Sequence, residues 1–124
     1  MKKEDNTDFE IQFYEGLIKK KPDFAQALVA LGDLYTKKGF YEKGLTIDKK
    51  LSILRPEDPY VFYNLACSYS LVNNIDQALI AMQRAIACGY NDLDYLQQDR
   101  DLENLRRDIR FDHFLAHAKN KKPF

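Results

Sequence analysis

Apolar residues recur at intervals of three and four along nearly the whole chain, the spacing that gathers one face of an α-helix. The pattern is interrupted at "KKPDF" (20–24), "KKGFYE" (37–42), "RPEDP" (55–59), "VNNID" (72–76) and "CGYND" (88–92). Between these breaks lie stretches of about 12–15 residues, the length of helices paired in helical-hairpin repeats. The first stretch, residues 6–20, has no partner before it. It predicts an orphan helix ahead of two hairpins.

Displacing the sequence so that Leu28 falls on Phe62 superposes the two hairpins on each other. In that register Leu31, Gly32 and Tyr35 fall on Leu65, Ala66 and Tyr69, while Gly44, Leu51 and Pro56 fall on Ala78, Ala85 and Tyr90. The small residues in this set stand where two antiparallel helices approach most closely, since a large side chain there would hold them apart. The pattern resembles the tetratricopeptide repeat, whose large-x-x-Leu-Gly-x-x-Tyr, Ala-x-x-x-Phe and closing Pro recur with the same period, about 34 residues. Tyr14, Leu17 and Pro22 occupy the second-helix slots of a preceding half-repeat. The resemblance implies an all-α, right-handed helical-hairpin solenoid with two full repeats, an N-terminal half-repeat helix and a C-terminal helical cap. One domain, 1–124, would hold the orphan helix (6–20), repeat 1 (25–58), repeat 2 (59–92), a capping extension (93–118) and a tail (119–124).

Downstream of Tyr90 the repeat starts again at Leu93–Leu96 and then breaks. Asp99, Asp101, Leu102, Leu105, Arg106, Asp108, Arg110 and Phe111 resemble the extension that closes many bacterial arrays of this family. Arg100 and Ile109 stand where such extensions usually have proline, so the short helices are expected to run on further than in relatives. End repeats need covers of this kind, because an uncovered repeat exposes its apolar face. Asp99 and Asp108 are expected to cap short helices, with Arg106 or Arg110 tying the turns through ion pairs.

Wrapping Tyr60 to Val72 on a helix separates its faces. Phe62, Leu65, Ala66 and Tyr69 point to the hairpin partner, and Val61, Ser68 and Val72 form a flank. Tyr60, Tyr63, Cys67 and Leu71 stack at successive turns with Asn64 at their edge. In the family that this chain resembles, the last set lines a concave surface that receives peptides. The candidate partner-binding groove is therefore Gln26, Val29, Asp33, Lys37, Tyr60, Tyr63, Asn64, Cys67, Leu71 and Asp94. Two readings of its tyrosines stand side by side: packing between adjacent helices, or amphipathic contact with a partner. Some family members clamp a C-terminal carboxylate with paired basic residues and asparagines. The corresponding five slots here are Val29, Asp33, Asn64, Asp94 and Gln98, which keep only the asparagine and present two repelling carboxylates. An apolar or basic peptide is expected instead.

Charge changes little in this picture and removes some alternatives. Nineteen basic and nineteen acidic side chains among 124 residues cancel, leaving no net field to draw nucleic acid or an anionic membrane. No apolar run approaches the roughly 20 residues of a membrane span, and a cytoplasmic location is expected. Cys67 and Cys88 lie in separate helical segments without a C-x-x-C pair, which suits free thiols. His113 and His117 share a helical face but lack a third ligand, so no metal or other cofactor is assigned. Asp48 stands in a slot that the repeat usually fills with an apolar residue and should have a hydrogen-bond partner if buried. No catalytic residues are assigned, and the acid–arginine run 99–110 is read as structural. The chain is thus expected to be a non-enzymatic interaction module for an unidentified protein or peptide. The alternative is a structural role in which Phe9, Phe13 and Ile18 of the orphan helix join two copies into a homodimer.

Overall fold

The structure, a computed structural model, describes residues 6–120. The opening five residues and most of the basic tail, 121–124, lie outside the described residues. Backbone contacts group the chain into two compact units that divide between Pro56 and Glu57. The first unit holds α1 (Thr7–Lys20), α2 (Ala25–Lys37) and α3 (Tyr41–Leu54). The second holds α4 (Pro59–Leu71), α5 (Ile75–Ala87), α6 (Leu93–Leu96), a 3-10 turn (Arg100–Leu102), α7 (Glu103–Arg106) and α8 (Ile109–Asn120). No strand occurs among the described residues.

The starting residues of the helices carry the period further than the residue pattern suggested. First helices begin at Ala25, Pro59 and Leu93, and second helices at Tyr41, Ile75 and Ile109, with one constant step in both series. The segment after Tyr90 keeps the starting positions of a third hairpin, with its first helix broken into α6, the 3-10 turn and α7. The short helices α6 and α7 have four residues each. Two carboxylates stop them without proline. Asp99 Oδ1 accepts the Asp101 N–H at 3.0 Å, and Asp108 Oδ1 accepts the Arg110 N–H at 2.9 Å. Each bond satisfies a donor that a helix start leaves free.

Three helix ends share one device. After α2, α4 and α5 the N–H of the residue past the turn reaches back to a carbonyl in the last helical turn, Phe40 to Tyr35, Asn74 to Tyr69 and Tyr90 to Ala85. That bond requires a left-handed residue in the turn. Gly39 (φ 81°), Asn73 (φ 62°) and Gly89 (φ 115°) supply it, asparagine being among the few side-chain-bearing residues that tolerate the conformation.

Within the first unit, α2 and α3 approach at small residues. A Cβ placed on Gly32 would sit 3.3 Å from both Asp48 Oδ1 and Ile47 Cγ2, and one on Gly44 would sit 3.2 Å from Thr36 Oγ1. Their counterparts in the second unit, Ala66 and Ala78, are fully buried. Asp48 is buried against Gly32, in space that a side chain at position 32 would take. No buried side-chain nitrogen or oxygen among the described residues lacks a hydrogen-bond partner. Helix α1 is fixed to α2 by Ile11, which is buried, by the Tyr35 hydroxyl donating to Glu15, and by Lys38 with Asp8 at 3.2 Å. It leaves Phe9 and Phe13 exposed.

Glycine substitutions should separate close packing from helix propensity. Gly32→Leu is expected to destabilise the protein by about 1–3 kcal/mol through overpacking. Gly16, in α1 with nothing within 4 Å of an added Cβ, should gain roughly 0.5–1 kcal/mol when changed to alanine. Urea denaturation of the two variants checks both signs.

Candidate functional site

Pro59 at the first turn and Asp58 before it start α4: the Asp58 carboxylate accepts the N–H groups of Tyr60 and Val61 at 2.9 and 3.4 Å. This fixes the helix on which Tyr60, Tyr63, Cys67 and Leu71 follow one another by turns. The broken third hairpin lies across that stripe. Tyr63 is 5% exposed, its hydroxyl donating to Asp99 Oδ2 at 2.6 Å, and the Cys67 thiol approaches the same oxygen at 3.8 Å. The Tyr63 ring stacks on Tyr90 with centroids 4.5 Å apart and planes at 12°. Tyr60 meets the Tyr90 ring edge-on at 5.9 Å, and Tyr95 tilts against Tyr63 at 6.2 Å. Such offset and edge arrangements match the charge distribution of aromatic rings.

Asp99 is the common point of this cluster. One carboxylate oxygen takes the tyrosine hydroxyl, the other takes the Asp101 N–H, and its carbonyl accepts Arg106 Nη1 at 2.6 Å. The same nitrogen donates to the Leu96 carbonyl at 3.0 Å. Arg106 thus ties the turns through backbone carbonyls rather than through the ion pair expected, whereas Arg110 does pair, with Asp108 and with Asp76. At the far end of α4, fully buried Ser70 accepts the Leu105 N–H on its hydroxyl and the Asn104 amide on its carbonyl. Helix α4 is pinned to the segment that follows α5 at both ends.

Burial and the carboxylate act on ionisation. Tyr63 is pushed far above the ordinary tyrosine value, by burial first and then by Cys67 and Asp99; Tyr90 is pushed up to about 12, chiefly by burial. Asp101 is raised by burial and then by the neighbouring Asp99. Both tyrosines are therefore neutral throughout the physiological range, and Tyr63 is a neutral donor to Asp99.

The residues assigned to a groove divide accordingly. In the second unit Tyr60, Asn64 and Asp94 are exposed, Leu71 is half-buried, and Tyr63 and Cys67 are closed off under Asp99. The open stripe expected along α4 is corrected at these two positions, because the segment from Tyr90 to Asp101 fills it. In the first unit Gln26, Asp33 and Lys37 are exposed and Val29 is half-buried. Desolvation of its carboxyl end raises Asp33, and nearby Lys37 partly offsets this. Tyr90, Tyr95 and the second role of Asp99 are not legible in the sequence. The Asp-x-Asp-Leu pattern marks Asp99 as a cap, but a cap uses one oxygen and gives no sign of what the other meets. His113 and His117 are exposed on α8, and no group of three or more potential metal ligands occurs among the described residues.

The hairpins, their constant period and the glycine and alanine contacts define a protein of the tetratricopeptide-repeat fold, an all-helical solenoid. A solved structure with that fold, MamA residues 41 to the end from Desulfovibrio magneticus RS-1, superposes with a TM-score of 0.70 over 96% of this chain and 70% of its own, at 15% identity. In sequence, the chain is 37% identical over 113 residues to a chloroplastic protein of Arabidopsis thaliana, a match covering 86% of this chain. It spans about a third of the length of that plant protein, 33%. No protein-family model matches the chain. No helix among the described residues is long and apolar enough to cross a membrane.

Two measurements address the cluster. Tyr63→Phe should cost about 1.5–3 kcal/mol, the range for a hydrogen bond to a charged group, and a double-mutant cycle with Asp99→Asn should return coupling rather than additivity. On alkaline titration, the stability tied to neutral Tyr90 is present below the unfolded value of about 10 and is lost as pH rises through about 12. The near-ultraviolet absorbance of tyrosinate should show a late component that coincides with loss of helical circular dichroism.

Proposed function

We propose that the chain is a non-catalytic protein-interaction module of one tetratricopeptide domain, which holds a partner segment without a carboxylate clamp. The observation that carries this reading is a rigid aromatic platform with open edges. Tyr60 and Tyr95, 67% and 53% exposed, flank the buried Tyr63–Tyr90 stack. Aromatic anchors already held in place lose little freedom on binding, and tyrosine combines apolar area with a polar tip. Asn64 and Asp94 add an amide and a carboxylate on the same unit, so the segment recognised there is apolar with a basic residue near Asp94. On the first unit Gln26, Asp33 and Lys37 form a separate polar surface of mixed charge. Tyr63 and Cys67 support the platform from beneath rather than touching the partner. The reading includes a cytoplasmic location, supported by the two free thiols; the plant relative's name places that protein in the chloroplast.

A second reading rests on α1. Phe9 and Phe13 are 72% and 54% exposed, one turn apart, and an outward aromatic pair of this kind suits a second copy of the helix. Light scattering at concentrations well above micromolar should then report a dimer that Phe9→Ser with Phe13→Ser converts to a monomer.

Photocrosslinking tests the first reading directly. A benzoylphenylalanine placed at position 60 or 95 should capture one and the same cellular protein. The same probe at Glu42, exposed on α3, should not. Adducts that are equally frequent from position 42 would overturn the assignment of the surface.

A further inference from the structure

Helix α1 begins at Thr7, one period before Tyr41 and two before Ile75, so its residues can be set beside those of the second helices α3 and α5. Two positions differ in kind. Where α3 and α5 carry Lys43 and Gln77, α1 carries Phe9; where they carry Lys50 and Arg84, it carries Gly16. Both residues are unfavourable on a free surface, since Phe9 is 72% exposed and a glycine inside a helix destabilises it relative to alanine. Phe9, Phe13, Gly16 and Lys20 follow one another at helical spacing along one face of α1, and all four are exposed. The Phe13 ring is braced by Tyr14, edge to face with centroids 5.2 Å apart. Elsewhere in this unit a helical glycine marks a close approach, as Gly32 and Gly44 do between α2 and α3. At Gly16 the space above the backbone is open.

A first helix laid on α1 as α2 lies on α3 does not account for this face. The close-approach position, Gly44 in α3 and Ala78 in α5, is Glu10 in α1, whose side chain would hold such a helix away. Charge suits a second copy instead. Asp8 and Glu10 stand in the first turn of α1, Lys19 and Lys20 in its last, so a copy running the other way sets acid beside base at both ends and opposes the helix dipoles.

We propose that α1 pairs antiparallel with α1 of a second copy, crossing between Phe13 and Gly16, so that each Phe13 ring lies over the Gly16 backbone of the other copy. This rests on the reading of α1 as the junction of two copies, and adds its direction, its register and its closest point. In that register Phe9 falls opposite the second copy's Lys20, whose stem and ammonium suit an aromatic face. Glu10 lies within a turn of the same lysine. The missing side chain at position 16 lets the ring reach the backbone, where contacts between close-packed atoms add up.

Sedimentation equilibrium of the full chain, from micromolar to near-millimolar concentration, tests the pairing. The parent chain should dimerise. Gly16→Leu should weaken the dimer by about tenfold or more through overpacking at the crossing, while keeping the parent circular dichroism spectrum, because leucine suits a helix and the site is open in the single chain. Glu42→Leu, at an exposed position of α3, should leave dimerisation unchanged. Glu10→Lys should weaken the dimer severalfold, and Glu10→Lys combined with Lys20→Glu should restore it; this exchange decides the matter if Gly16→Leu loses helicity. A dimer that withstands Gly16→Leu, or a double charge variant as weak as Glu10→Lys alone, would overturn the register. If Phe9→Ser with Phe13→Ser still separates the copies in that case, the junction on α1 stands and only its geometry is wrong. A chain that stays monomeric at every concentration would overturn both.

Discussion

The close approach of paired helices is the constraint from which the rest of the structure follows. Gly32 and Gly44 on one hairpin, and buried Ala66 and Ala78 on the other, let backbones meet where larger side chains would wedge them apart. With the gap set by these residues, those around them, Leu28, Leu31, Met82 and Ala85 among them, are carried to zero exposure. Burial of that kind supplies most of the stability of helices too short to persist alone in water. The turns then have to be tight, and those after α2, α4 and α5 are closed by a left-handed residue and the same backward hydrogen bond.

The second constraint concerns how a repeating structure stops. A hairpin that faces water needs cover for its apolar side, and here the cover is built from a third hairpin with its starting positions preserved and its first helix broken. Asp99 makes the break useful. It ends one short helix, starts the next turn, and places its free oxygen against Tyr63, so that one residue shapes the cover and fastens it. Helix α8 begins in register but does not bury the same face as α5: Phe111, Phe114 and Ala118 are buried, where the residues one period earlier, Gln77, Ile80 and Arg84, are exposed. That change of face leaves His113 exposed, where Leu79 one period earlier is buried.

The hairpins were legible in the sequence because a helix writes its packing face at fixed intervals, and the internal match placed Gly32 against Ala66 and Gly44 against Ala78. Asp48 was legible as an anomaly, and its explanation required the partner helix: it lies over a glycine. The groove was legible only in part. Wrapping α4 as an isolated helix set Tyr63 and Cys67 on the same stripe as Tyr60, which is correct geometry. It carried no information about a later segment folding back over two of the three. Long-range polar contacts such as Tyr63 with Asp99 have no period, so no spacing within either helix announces them. At Arg100 and Ile109, where the resemblance would place proline, the short helices are bounded by carboxylates instead. Proline is one way to stop a helix, and a side-chain carboxylate that captures the next free N–H does the same.

Covering α4 changes what kind of recognition its surface can perform. An open stripe of four residues would offer a deep apolar seat, with Tyr63 free to swing out toward a ligand. The filled stripe offers two exposed rings, each braced by a buried ring beneath it, and Tyr63 is held by a bond to a carboxylate in a partly dry site. Freeing Tyr63 for a ligand would strand that carboxylate and expose the Tyr90 face, a loss that a peptide contact would first have to offset. Binding by surface contact to Tyr60 and Tyr95 requires neither. Under the proposed interaction role, a shallow, preformed aromatic surface is therefore favoured over an induced pocket, with Tyr63 and Asp99 belonging to the framework rather than to the contact.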